Sequence, residues 1–297
     1  MIGINRFKEI LILSGKGGSG KTFIASSFIH LAGPCIACDY DVDASNLPLL
    51  FSAAPQEKQE YSGGQIAMID RETCLGCGIC EHYCQFEAIK DNVVSPYDCE
   101  GCALCTHICP VNAVTMQPRS SGCWFKFRRA EGWPLFYAEL RPGEENSGKL
   151  VSTLKDQARQ EAINGEYYLT ISDGPPGLAC AVIAALNGVD LVVMVAEPSV
   201  SGISDITRLH ELLKNRSAPI LLLVNKYDLY PEGTAKLEDW AKQQGIPLLG
   251  RIPYLTAVFK AISQGLCPVL LTEVSELLEP IWENISTLLL QEERRIL

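Results

Sequence analysis

Two sets of residues in this chain have types and spacings suited to chemistry. The first is cysteine. Eight of the 13 cysteines fall between Cys74 and Cys109. They form two runs, Cys74, Cys77, Cys80, Cys84 and Cys99, Cys102, Cys105, Cys109, each spaced C-x₂-C-x₂-C-x₃-C. Thiolates are soft, anionic ligands, and this run suits a [4Fe–4S] cluster. Zinc usually takes CxxC pairs set well apart. The second set is Gly15-Lys16-Gly17-Gly18-Ser19-Gly20-Lys21-Thr22, which fits G-x-x-x-x-G-K-[ST]. Its glycines let backbone N–H groups close around phosphate, and the following helix N-terminus adds positive potential. In such loops the lysine contacts the β- and γ-phosphates and the hydroxyl ligates Mg²⁺, roles that fall to Lys21 and Thr22.

The cysteine runs are copies of one another, offset by 25 residues. The match extends beyond cysteine: Gly76 to Gly101, Ala88 to Ala113, Ile89 to Val114. This is a tandem duplication. Residues 61–118 contain two Lys/Arg and seven Asp/Glu, a balance of −5 out of the chain's −10.

The elements around these sets must position them. Residues 9–13 form a short apolar run leading into the glycine loop, and 23–32 read as a helix. Residues 35–38 read as a strand ending at Asp39. Apolar runs at 167–172, 191–196 and 219–224 each precede turn residues and a helical stretch. Such alternation predicts an α/β fold with a mostly parallel sheet covered on both faces. The cysteine block interrupts this pattern after its second strand, so it reads as an inserted α+β domain. The expected division is 1–60, 61–118 and 119–297, with linkers near 53–64 and 117–122. Residues 122–140 read as an aromatic-rich hairpin. Asn146 or Ser147 is the expected cap of a helix running to about Ile163. Val274, Leu277, Leu278, Ile281, Ile285, Leu288 and Leu289 lie on one stripe of a terminal helix.

The chain has 297 residues, 47% hydrophobic and 20% charged, an ordinary globular composition. Its acidity argues against a nucleic-acid surface, and the three basic residues Lys126, Arg128 and Arg129 do not change that. No apolar run approaches the roughly 18 residues of a transmembrane helix. The glycine-rich start does not resemble a signal peptide, so the expected location is cytoplasmic. In reducing cytosol, so many cysteines point to metal rather than disulfides.

The lysine at position 16 is not required by the general phosphate-loop motif. Here the loop resembles the deviant Walker A loop of the MinD/Mrp/ParA ATPases. Cys38-Asp39-Tyr40-Asp41-Val42-Asp43-Ala44-Ser45-Asn46-Leu47 resembles that family's switch I. Ile171-Ser172-Asp173-Gly174-Pro175-Pro176-Gly177 resembles its Walker B strand and switch II. Val224-Asn225-Lys226-Tyr227-Asp228 sits where the family reads adenine. The resemblance implies ATP hydrolysis and dimerisation, either with itself or with a paralogous ATPase. It further implies that Lys16 reaches the partner's nucleotide, that Asp41 positions the attacking water, that Asp39 and Asp173 serve the Mg²⁺ shell, and that Asn225 contacts the base. Asp43 reads as solvated loop.

The cysteine block resembles a two-cluster bacterial ferredoxin. There the fourth cysteine of each run ligates the other cluster. That implies Cys74, Cys77, Cys80 and Cys109 for one cluster, and Cys84, Cys99, Cys102 and Cys105 for the other. Cys109 precedes Pro110 as in the pattern, whereas Cys84 precedes Gln85. Two clusters imply an electron relay and a redox partner protein. Cys35 and Cys38 point to opposite faces of a strand and read as packing. Cys123 and Cys267 have no constellation. Cys180, seven residues after Asp173, lies at a place similar to that of a cluster-bridging cysteine in the nitrogenase iron protein of the family. One per chain gives two per dimer, too few for a four-cysteine cluster, so it reads as a buried small residue.

The combined expectation is an ATPase that couples nucleotide-dependent dimerisation or docking to electron transfer through two clusters. The alternatives are an Mrp-like cluster carrier and a MinD-like spatial organiser with structural clusters. The carrier lacks its C-terminal CxxC here, since residues 225–297 contain only Cys267. The organiser needs a membrane-binding tail, and this tail is acidic.

Overall fold

The computed structural model describes residues 7–51, 53–144 and 147–296. Strand β1 (Lys8–Ser14) leads through the glycine loop into α1 (Lys21–Ala32) and β2 (Ile36–Asp39). A 3₁₀ turn at Leu47–Leu50 precedes β3 (Ala53–Ile69), α2 (Ile79–His82), β4 (Ile89–Lys90), β5 (Val93–Val94), α3 (Leu104–Ile108) and β6 (Val114–Arg129). Then come β7 (Pro134–Leu140), α4 (Ser147–Asn164), β8 (Leu169–Pro176), α5 (Cys180–Ala185) and β9 (Leu191–Ala196). The chain continues through α6 (Val200–Leu213), β10 (Ile220–Asn225), α7 (Pro231–Gln243), β11 (Leu248–Ile252), α8 (Thr256–Ser263) and α9 (Thr272–Ile296).

The main sheet has the order β11-β10-β9-β1-β8-β2-β7-β6-β3. Neighbours from β11 through β7 pair in parallel. Every residue of β1 and β9 is buried, as parallel strands covered on both faces require. The mostly parallel α/β fold expected from the apolar runs is therefore present. Because β1 lies between β8 and β9, with β2 beyond β8, the loops after these strands open along one edge. Ligands of α/β sheets bind at such carboxyl-end edges.

By compactness the chain forms two units, Met1–Lys58 with Trp124–Glu139 and Ser147–Leu297, and Gln59–Cys123 with Leu140–Asn146. The first unit has a core of Ile10, Ile12, Phe28, Ile171, Val193 and Leu223, among others. Helix α9 adds Val274, Leu278 and Ile285, all fully buried, and Ile281 to this core, whereas Leu288 of the expected stripe is exposed. One buried charge cluster crosses this core. Lys155 Nζ lies 2.9 Å from Glu9 Oε1, with the two side chains 2% and 1% exposed. Tyr40 and Ser172 hydroxyls each donate to the same Glu9 oxygen at 3.1 Å. A buried charge needs such partners to avoid a large desolvation cost.

The second unit has a small core of Ala67, Ala88, Cys99 and Val114, with Cys84, Cys105 and Cys109 packed against it. The 25-residue repeat is also a repeat of backbone conformation. Positive φ values recur at Gly76 and Gly101 (both 67°), at Gly78 (71°) and Ala103 (62°), and at Glu87 and Asn112 (both 52°). Helices α2 and α3 begin at equivalent positions, Ile79 and Leu104.

The segments 53–64 and 117–122, expected as linkers, are instead parts of the long strands β3 and β6. Their polar, glycine-bearing sequences gave no strand pattern. These strands are adjacent in the sheet, and Ser62 Oγ donates to the Arg119 carbonyl at 2.9 Å. Such pairing is supplied by backbone rather than by burial, so composition does not reveal it. The aromatic hairpin is β6 and β7, closed by the Arg129 N–H donating to the Trp133 carbonyl at 2.9 Å. The expected cap Asn146 lies outside the described residues.

Candidate functional site

The glycine loop joins the C-terminal end of β1 to α1. Gly20 is the cap of α1 at φ 97°, a conformation that costs an L side chain strain. A Cβ there would also collide with Asn225 Nδ2. Asn225 is 4% exposed and donates from Nδ2 to the Ser19 carbonyl at 2.8 Å. The loop from β10 thus braces the phosphate loop. Lys226 Nζ adds a bond to the Gly18 carbonyl at 2.8 Å.

Lys21 and Thr22 both meet Asp173, at the middle of β8. Lys21 Nζ lies 2.7 Å from Asp173 Oδ1, and Thr22 Oγ1 donates to Oδ2 at 2.6 Å. Asp41 Oδ2 lies 4.0 Å from the same ammonium. Burial works against the charge on Lys21, yet Asp173, Asp39 and Asp41 outweigh it and hold its pKa above the ordinary lysine value. The structure therefore brings together Lys21, Thr22, Asp39, Asp41 and Asp173 from three separate segments.

Asp39 is fully buried and spends both carboxylate oxygens on backbone. Oδ1 accepts from the Asp41 N–H at 3.0 Å and Oδ2 from the Leu47 N–H at 2.9 Å. It clamps the loop that carries Asp41. Burial and the nearby Asp173 push its carboxyl up to about 8. Asp41 is also raised, first by burial. Asp43 is exposed, as expected for solvated loop.

Lys16 points elsewhere. Its ammonium lies 2.7 Å from Glu197 Oε1 and also donates to Ser199 Oγ at 3.2 Å and Ser201 Oγ at 2.8 Å. Glu197 Oε2 takes Lys226 at 3.1 Å. Despite the cost of partial burial, these lysines and Ser199 hold Glu197 below the usual carboxylate range. Sequence reading missed Glu197, Ser199 and Ser201. The available signal was a carboxylate directly after the apolar run of β9, at the sheet edge where sites form.

Beside the loop lies a mostly apolar pocket of about 290 Å³. Gly18, Gly20, Phe23, Asn225, Tyr254 and Phe259 line it. Its apolar and aromatic lining beside the glycine loop suits a heterocycle whose phosphates reach that loop.

In the second unit the cysteines are partly gathered. Cys84 lines one cavity with Cys99, Cys102, Cys105 and Cys80. Burial raises the Cys80 thiol, and neighbouring Cys74 and Cys109 add to that. Burial raises Cys105 as well, with contributions from Cys99 and Cys102. Cys109 is lowered, mainly by the Val111 N–H. Among the described residues, no three His, Cys, Asp or Glu side chains converge closely enough to hold a single metal ion. Cys35, Cys38 and Cys267 are buried in the first unit, whereas Cys180, expected to be a buried small residue, is exposed at the start of α5. Lys126 pairs with Glu161 at 2.7 Å, and Arg129 is 2% exposed with its guanidinium on the Cys35 carbonyl at 2.7 Å. Among the described residues, no helix is long and apolar enough to cross a membrane.

The family model for the CobQ/CobB/MinD/ParA nucleotide binding domain matches residues 10–269. The chain belongs to this family. As a CobQ/CobB/MinD/ParA-type protein it is a P-loop nucleotide-binding chain, and the glycine loop, Lys21 and Asp173 all fall inside the match. An uncharacterized protein of Methanocaldococcus jannaschii is 37% identical over 221 residues, 73% of this chain and 78% of its own length. The septum site-determining protein MinD of Buchnera aphidicola subsp. Baizongia pistaciae is 23% identical over 296 residues, 94% of this chain and 90% of its own. Among solved structures, septum site-determining protein MinD complexed with Mg-ADP from Pyrococcus horikoshii OT3 matches with a TM-score of 0.57. It is 17% identical and covers 95% of this chain and 97% of its own. The MinD cell division protein of Aquifex aeolicus gives 0.56 at 19% identity, with 94% and 97% covered. These likenesses establish a MinD-like fold.

Proposed function

We propose that this family member hydrolyses ATP and couples its nucleotide state to electron transfer through two [4Fe–4S] clusters held by residues 61–118. In this reading residues 1–60 and 119–297 build the ATPase domain, and the intervening segment is a ferredoxin-like insert. The nucleotide state controls dimerisation, with a second copy or a paralogue, or docking to a redox partner protein. The whole acts in the cytoplasm.

The observation that carries the ATPase half is the buried meeting of Lys21, Thr22 and Asp173. Phosphoryl transfer needs charge neutralisation and an in-line water more than a covalent nucleophile. Lys21 would hold the β- and γ-phosphates. Thr22 and Asp173 would hold Mg²⁺, with Asp39 behind them bracing the loop. Asp41, half-buried and facing Lys21, would orient the attacking water. Lys16 would leave Glu197 to meet the partner's nucleotide, and Asn225 would flank the adenine.

The electron-transfer half is supported by the cavity that gathers Cys84, the last cysteine of the first run, with Cys99, Cys102 and Cys105 of the second. Those four match the exchanged ligand set of a two-cluster ferredoxin, and Cys80, from the other set, lines the same cavity. Cys74, Cys77, Cys80 and Cys109 form the complementary set. Four thiolates on a cubane bind four different irons, so they stand farther apart than the ligands of a single ion. The donor set fits such clusters, which supply one-electron carriers when bound. Surrounding N–H groups, such as that of Ala113 donating to Cys109 Sγ at 3.2 Å, stabilise thiolate. The insert's net −5 favours a partner with a basic face.

The deciding experiment is an EPR-monitored redox titration of anaerobically prepared protein, without nucleotide and with a non-hydrolysable ATP analogue. A nucleotide-dependent shift of about 59 mV, equivalent to roughly 1.4 kcal/mol, supports an energised electron donor. Unchanged potentials overturn the coupling. Protein that binds no iron overturns the cluster assignment.

A further inference from the structure

The two cysteine runs are copies in their cysteines, but the charged residues around them differ, and a basic residue packs beside a cysteine peptide of the second run. Arg119, on β6, donates from Nη1 to the backbone carbonyl of Cys99 at 3.0 Å. Its Nη2 lies 2.6 Å from Glu144 Oε1, and the two side chains are only 18% and 11% exposed. Cys99 is itself 9% exposed, and among the eight cysteines of the two runs it alone is buried. A small polar pocket joins these groups, lined by Arg119, Cys99, Glu100, Tyr97 and Glu144. The position equivalent to Arg119 in the first copy, 25 residues earlier, is Val94, which carries no charge. Arg71 and Lys90, the basic residues within 61–118, are both exposed. Solvent screens such charges.

We infer that Arg119 raises the reduction potential of the cluster proposed at Cys84, Cys99, Cys102 and Cys105, and so makes it the electron sink of the pair. This rests on the two-cluster reading above. Reduction adds one electron to a cluster already carrying thiolate charge. A cation held in a water-poor setting beside one ligand's peptide favours the reduced state, whereas a screened surface cation does so far less. Hydrogen bonding and charge behind the ligands are established levers on such potentials. Glu100 and Glu144 oppose the guanidinium in charge. Glu144 also anchors it, and the guanidinium is the group that contacts the Cys99 peptide. Arg119 is a positioning and tuning residue, with no contact to substrate.

The test is the same EPR-monitored titration on wild type, Arg119→Gln, Arg119→Lys and the surface control Lys90→Gln, with iron counted in each. In Arg119→Gln one of the two reduction steps is expected to fall by about 59 mV, a tenfold redistribution of the electron toward the other cluster. The second step should stay in place. Arg119→Lys keeps the charge and should fall by less than half as much, and Lys90→Gln should move neither step. If Arg119→Gln loads no iron, Arg119→Lys carries the test through a smaller fall of the same step. Full iron content with neither step moved, or with both moved equally, overturns the inference. Wild type without iron overturns the cluster reading instead, so the two failures are distinguishable.

Discussion

Lys16 Nζ and Glu197 Oε1 stand 2.7 Å apart, so the additional lysine of the phosphate loop is tethered within its own chain. Removing it should leave Lys21 and the base pocket intact. Lys16→Ala is therefore expected to bind nucleotide within a few-fold of wild type while losing turnover and ATP-dependent dimerisation. Equilibrium nucleotide binding, phosphate release and light scattering with and without ATP check this. Wild-type turnover in the variant would show that Lys16 has no role across a dimer.

Lys21 is held by Asp173 at 2.7 Å in a site 6% exposed. Its replacement by alanine removes the cation proposed to meet the phosphates and leaves Asp173 buried without its ion-pair partner. Lys21→Ala should lower hydrolysis by at least about 10²-fold, the scale of losing one preorganised charge-stabilising group. Nucleotide binding should weaken in parallel, which calorimetric titration with an ATP analogue would reveal.

The pair Lys155 and Glu9 is almost completely buried. Truncating one member strands the other. Lys155→Met should cost about 3–5 kcal/mol in urea unfolding, whereas the double variant Lys155→Met, Glu9→Gln should recover a large part of that loss. Arg159, 4.0 Å from the second Glu9 oxygen, provides residual compensation. A single variant as stable as wild type would contradict the account of this network.

Cys99→Ser removes one ligand of one proposed cluster. Iron content should drop from about eight to about four atoms per chain. Nucleotide binding should persist, because the two compact units have separate cores. Loss of the characteristic cluster absorption together with nucleotide binding would show that the units do not fold independently.

Asp39 imposes a pH dependence on the nucleotide-free protein. Its carboxyl titrates near 8 in the folded chain because burial and Asp173 disfavour its charge. In the unfolded chain an aspartate titrates near ~3.9. Between those values the native state binds more protons, so this group's contribution to stability falls as pH rises. Urea midpoints should therefore decline between about pH 4 and 8. Asp39→Asn should flatten the decline, and an unchanged slope in that variant would assign it to other groups.

Much of the nucleotide site is legible in the chain because its parts are contiguous. The glycine loop, Lys21 and Thr22 lie within eight residues, and Asp39 and Asp173 each follow a short run that reads as a strand. The 25-residue repeat likewise carries matching turns and helix starts; of the three matching positive-φ pairs, one keeps glycine in both copies, Gly76 and Gly101. Spacing also nominates the cysteines. What spacing does not contain is the meeting of residues far apart. Glu197 reaches Lys16 only because β9 is laid beside β1, and Arg119 reaches Cys99 only because β6 runs back beside the second copy. The polar stretches 53–64 of β3 and 117–122 of β6 are equally silent, because they carry no apolar strand pattern. Composition and spacing thus determine which chemistry the chain can hold. Tertiary structure decides which charges stand behind it, because an electrostatic partner is chosen by distance in space and by burial.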